Sequence, residues 1–127
     1  METLRIFEQL PNRLPMRYFE TRFLEEVDEF LTQLDPKAVK KVLYNIDFAE
    51  QTNDMRLFKK LNKNIWEFRT TFGGLSIRLL AFWDTSDNKE SLVIATHGII
   101  KKTDKVPAKE IKKAESIRKL YFEDKDI

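Results

Sequence analysis

Apolar residues recur along this chain with two different periods, and the change of period divides it into elements. On either side of Gly73-Gly74 the pattern alternates: Trp66, Phe68, Thr70 and Phe72 come before the glycines, and Leu75, Ile77, Leu79, Ala81 and Trp83 after them. Side chains alternate between the two faces of a strand, and a Gly-Gly pair supplies the positive φ that a two-residue hairpin turn needs. The predicted hairpin, over about residues 65–72 and 75–83, pairs Phe72 with Leu75, Thr71 with Ser76, Arg69 with Arg78 and Glu67 with Leu80. One face is then apolar and must be covered by helices. The other holds Glu67, Arg69, Thr71, Ser76 and Arg78, with Leu80 and Phe82 toward its far end, and reads as polar, cationic and open.

Upstream the period is helical. Phe19, Phe23, Val27, Phe30 and Leu34, flanked by Leu24 and Leu31, predict an amphipathic helix from Arg17 to Leu34. Asp35-Pro36 then reads as an N-cap with proline at the first helical position, opening a second helix whose apolar face is Val39, Val42, Leu43, Ile46 and Ala49. The short connection predicts an antiparallel helix pair. Residues 51–64 are polar around an island of Met55, Leu57, Phe58 and Leu61, expected to tuck inward. A third strand is predicted over 91–97, and Pro107 can open a last helix with Ile111, Ala114, Ile117 and Tyr121 on one side. Residues 3–9 suit a short edge strand, with a break from Pro11 to Pro15. The order implies one α+β domain over 1–127: a small antiparallel sheet of three to four strands, two N-terminal helices packed on one face and a C-terminal helix.

Composition narrows the chemistry. With no cysteine and a single histidine, disulfides, thiolate nucleophiles and a usual zinc site drop out, so any chemistry is expected to be metal-free or oxygen-ligated, and no cofactor is assigned. No run is long enough to span a membrane, no secretory signal is visible, and a cytoplasmic location fits. Net charge is only +2. It is unevenly spread, with 7 Lys/Arg against 11 Asp/Glu in residues 1–54 and 16 against 10 in residues 55–127. The C-terminal half is therefore the candidate polyanion face.

Three features on that half point to a site. Arg69 directly opposite Arg78 places like charges across a strand pair, which destabilises unless something compensates. Glu67 is one candidate counter-ion; a phosphate held by two planar guanidinium forks is the other. His97 follows the third strand and suits proton transfer near neutral pH. From His97 to Lys113 there are six lysines against two acids.

At this point the sequence resembles the RelE/HigB superfamily of toxins from bacterial toxin–antitoxin pairs, in particular its phage-related HigB-like branch. The matching residues are Leu61 with Trp66-Glu67-Phe68-Arg69, then Ile77-Arg78-Leu79 with Phe82. After these come His97-Gly98, Lys101-Lys102-Thr103, Lys105 and Pro107, with Glu110-Ile111 and Ala114. The resemblance implies a RelE-like fold and a metal-free endoribonuclease that cleaves mRNA, often in the ribosomal A site. It also implies inhibition by a helix-turn-helix antitoxin. It makes Arg78 the phosphate-gripping residue, Arg69 a match to a frequent active-site basic residue, Lys102 a charge-stabilising residue and His97 the candidate proton carrier. Lys101 and Lys105, and more weakly Lys59 and Lys60, become RNA contacts. Two departures stand out: Val106 replaces a capping threonine, and Ile99 replaces an aromatic that would stack on a base. The same resemblance admits a catalytically inactive RNA- or ribosome-binding module, or a gyrase-directed toxin.

Overall fold

The computed structural model describes residues 17–86 and 91–125, so the predicted strand at 3–9 and the break at Pro11–Pro15 lie outside the described residues. The elements are β1 (Glu20–Phe23), α1 (Glu25–Thr32), α2 (Pro36–Thr52), β2 (Phe58–Lys60), β3 (Trp66–Phe72), β4 (Leu75–Trp83), β5 (Leu92–Lys101) and α3 (Ala108–Lys125). They build a five-stranded sheet in the order β1-β5-β4-β3-β2. β1 runs parallel to β5 and the other pairings are antiparallel. The sheet is thus larger than expected and mixed.

The hairpin keeps the predicted register throughout, with Phe72 opposite Leu75 and Arg69 opposite Arg78. Gly73 and Gly74 have φ of 56° and 81°, conformations that other residues adopt only under strain. In α2, the Asp35 carboxylate accepts a hydrogen bond from the Lys37 N–H at 2.7 Å, with Pro36 at the helix start. Asn53 closes the helix in the left-handed conformation, φ 54°.

Arg17–Leu34 is where the expectation fails. Glu20–Phe23 forms a strand and only Glu25–Thr32 is helical. Phe19, Phe23 and Val27 are spaced by four, which suits a helix, but Phe19, Thr21 and Phe23 are all buried while Glu20 and Arg22 are exposed. That is an alternation by two, and pairing with β5 decides between the periods. The helices also spread out: α1 lies chiefly on β5 and α2 on β3. The 51–64 segment contains β2, and of its island Met55 is 71% exposed while Phe58 is buried.

Two cores flank the sheet. Phe19, Phe23, Val27, Val42, Ile46, Phe58, Phe68, Ile77 and Leu79 fill the α1/α2 side. Gly98 belongs to this packing, because a Cβ there would come within 2.2 Å of the Phe30 ring of α1. On the opposite side α3 brings Ala114, Ile111 and Tyr121 over Ile65, Leu80, Phe82 and Ile94. Helices therefore cover both faces, and the face expected to be open is closed over its Leu80–Phe82 half. Tyr121 packs there as expected, its hydroxyl donating to Asp84 Oδ2 at 2.6 Å.

Candidate functional site: a cationic cleft around one carboxylate

A break in pairing assembles the site. Trp83 pairs with Val93, Phe82 with Ile94 and Ala81 with Ala95, but Leu80 pairs with His97, leaving Thr96 as an extra residue in β5. One inserted residue reverses the facing of everything beyond it. His97, Ile99 and Lys101 are thereby turned to the face of Leu80, Arg78 and Ser76. Without the bulge Lys101 would lie on the α1/α2 side. On the other flank Lys59 of β2 pairs with Glu67 and so shares that face.

A cleft of about 240 Å³ opens where α3 stops covering this face. Lys59, Arg69, Lys101 and Lys105 line it, with Glu67 and Asp104 as its acids and Leu61, Val106 and Ile111 as an apolar wall. Arg78, 4% exposed, lies behind Glu67, itself 3% exposed. Arg78 Nε is 3.2 Å from Glu67 Oε1 and Arg69 Nε is 3.6 Å from Oε2. Glu67 is therefore the compensating charge for the arginine pair.

That compensation is incomplete. Glu67 Oε1, Arg69 Nε and Arg78 Nε are buried atoms without a hydrogen bond; their contacts are close but misaligned. Buried polar groups are nearly always hydrogen-bonded, and an unsatisfied one costs about 1–3 kcal/mol. All three belong to one cluster at the inner end of the cleft. Burial pulls the Arg78 guanidinium below its ordinary pKa; Glu67 opposes this and Arg69 adds to it. Burial likewise lowers Lys101, helped by the positive charges of Arg78 and Arg69. The Lys101 ammonium donates to the Asp104 carbonyl at 3.0 Å.

The remaining sequence-predicted residues lie elsewhere. His97 is 2% exposed and does not line the cleft. Burial lowers its pKa, with the hydrogen bond to Glu110 opposing and Lys113 reinforcing the shift. His97 Nε2 lies 3.1 Å from Glu110 Oε1 and Nδ1 lies 2.8 Å from the Thr96 hydroxyl, which itself donates to the Leu80 carbonyl at 3.2 Å. The imidazole thus ties β5 to α3, and both its nitrogens are occupied. Lys102 is exposed just beyond β5, outside the cleft lining, and Lys60, next to Lys59 on a strand, pairs with Trp66 of the opposite facing. Ile99, where an aromatic was missed, packs in the α3 core. Glu67 and Lys101 meet in the cleft lining. Glu67 was visible as the acid on the arginine face, whereas the place of Lys101 depends on the bulge.

Among the described residues no group of three His, Cys, Asp or Glu could hold a metal ion, and no helix is long and apolar enough to cross a membrane. No curated protein matches the sequence. The chain shares its fold with a chain of the toxin–antitoxin complex RelBE2 from Mycobacterium tuberculosis, at 18% identity and a TM-score of 0.51. The match covers 68% of this chain and 100% of that one. The model of the phage-derived Gp49-like family matches residues 29–119, which run from the second half of α1 into α3 and hold α2 and strands β2 to β5 entire. On that match the chain belongs to the phage-derived Gp49-like family.

Proposed function

We propose that this protein is the toxin of a toxin–antitoxin pair, of the RelE/HigB type, and that it cleaves mRNA without a metal. The observation that carries the reading is the buried Glu67 carboxylate, in a cleft lined by Arg69, Lys59 and Lys101 and backed by Arg78, with Glu67 Oε1, Arg69 Nε and Arg78 Nε lacking hydrogen bonds. The fold it shares with a chain of the RelBE2 complex supports a protein antitoxin as partner.

RNA cleavage of this kind needs three groups: one to take the 2′-hydroxyl proton, one to hold the phosphorane charge and one to protonate the leaving 5′-oxygen. Glu67 accepts the proton as the 2′-oxygen attacks the adjacent phosphorus. Arg78 and Arg69 turn their unsatisfied N–H groups to the phosphoryl oxygens, freeing the carboxylate they held. Lys101, its pKa lowered, gives a proton to the departing 5′-oxygen, and the products are a 2′,3′-cyclic phosphate and a 5′-hydroxyl. Lys59 and Lys105 bind the backbone on either side. Proton transfer, assigned by sequence to His97, falls to Glu67 and Lys101, and Lys102 is left to surface contacts with RNA or the ribosome.

Expression in a bacterial host without the antitoxin, with mRNA 5′ ends mapped before growth slows, tests the reading. Discrete new ends within translated frames, absent for Arg78→Ala, are the expected result. Growth arrest with intact mRNA and DNA damage would move the target to gyrase, and no new ends with intact growth would leave a binding module.

A further inference from the structure

A second cleft, of about 200 Å³, lies beyond the β2 edge and is unassigned by the cleavage chemistry. Lys60, Lys63 and Arg118 line it together with Trp66 and Trp83, and the rest of its lining is neutral. Three cations thus converge with no carboxylate among the described lining residues, the reverse of the first cleft, where Glu67 balances the arginines. Arg118 is poised by its own helix, its guanidinium 5.1 Å from the Phe122 ring. The two indoles are half-buried and perpendicular, with ring centroids 5.9 Å apart, and Trp66 is backed by Phe58 in a stacked contact at 4.9 Å. Trp83 Nε1 is a further buried atom without a hydrogen bond.

The edge strand joins the two clefts. Lys59 lines the first and Lys60 the second, and these neighbours point to opposite faces of the three-residue β2. A polyanion leaving the first cleft over this edge meets the second within one strand's width.

We propose that the second cleft is a subsite for single-stranded RNA flanking the cleaved bond, with phosphate on Lys60, Lys63 and Arg118 and a base against the indoles. Aromatic faces beside a cationic groove are the means by which proteins hold single strands without reading sequence. The assignment rests on the RNA-cleaving reading above, and its test separates the two.

Both tryptophans of the chain line this cleft, so intrinsic fluorescence reports its occupancy. The full-length protein is titrated with a 2′-O-methylated RNA decamer, which lacks the attacking hydroxyl. Binding is followed by anisotropy of a labelled copy and occupancy by tryptophan emission of an unlabelled one. Emission is expected to change in step with anisotropy. In Lys60→Ala/Lys63→Ala the salt slope of binding is expected to fall by about 1.4, roughly 0.7 per lost phosphate contact. Binding with unchanged emission, or an unchanged slope in the double variant, overturns the subsite and leaves the first cleft's assignment standing. An emission change without any RNA cleavage by the protein leaves the subsite and removes the nuclease. An equal emission change with polyglutamate of matched charge overturns RNA as the ligand in favour of an acidic protein segment.

Discussion

The face of the sheet that carries Arg78 holds two clusters that each include one glutamate, and they are finished differently. Under α3, His97 has a partner at each ring nitrogen, Glu110 and Thr96, and pairs with Leu80 across the sheet. Beyond the edge of α3, Glu67, Arg69 and Arg78 lie equally close together but leave three buried atoms without hydrogen bonds. A satisfied buried pair rigidifies a fold, whereas an unsatisfied one stores a cost that a ligand can relieve. On the proposed function the histidine is a brace and the carboxylate the reactive group, although residue type alone favours the reverse.

The contrast breaks most visibly in activity. Replacing Arg78 by Ala removes the guanidinium nearest Glu67 and is expected to lower RNA cleavage by about 10²–10³-fold, the usual loss of one charge-stabilising donor. Initial rates on a synthetic RNA, with circular dichroism to confirm folding, check this.

A purely structural change ranks next. Gly98→Ala places a Cβ against the Phe30 ring and is expected to cost about 1–3 kcal/mol, the range for overpacking a core. Urea denaturation measures it. An unchanged midpoint would mean that the glycine of the His97-Gly98 pair is not required by α1.

The brace sharpens the comparison through pH. Because burial holds the His97 pKa below its ordinary 6.5 in the fold, the folded state binds the proton less well than the unfolded chain does. Its contribution to stability is full above pH 6.5 and is lost as pH falls from there through the lowered value. The wild type is expected to lose stability over that window more steeply than His97→Gln, as read from unfolding midpoints between pH 5 and 8. The smallest effect is at α2, where Asp35→Ala removes the cap on the Lys37 N–H and is expected to cost about 1 kcal/mol by thermal melting.

The legible and illegible parts of this chain follow the range of the interactions that decide them. The Gly73-Gly74 turn, the Arg69–Arg78 opposition, the Asp35-Pro36 helix start and the apolar side of α3 are fixed by neighbours in sequence, and all were readable. β1 was not, because Phe19, Phe23 and Val27 fit both periods and the distant strand β5 makes the choice. Nor was the extra residue at Thr96, since no turn residue marks it, yet it alone puts Lys101 in the cleft. Which face α3 covers was equally hidden, and with it the burial of His97. The division of the cations between two clefts depends on the parity of β2 and the bulge in β5.

The central claim is that Glu67, and not His97, moves the proton. Cleavage of one RNA by Glu67→Gln and His97→Gln, compared with the wild type under single-turnover conditions, tests it most directly. A loss of about 10²–10⁴-fold for Glu67→Gln, the usual worth of a general base, with His97→Gln within about tenfold of the wild type while folded, is the predicted result. The opposite order, with His97→Gln inactive and Glu67→Gln near normal, would contradict the account.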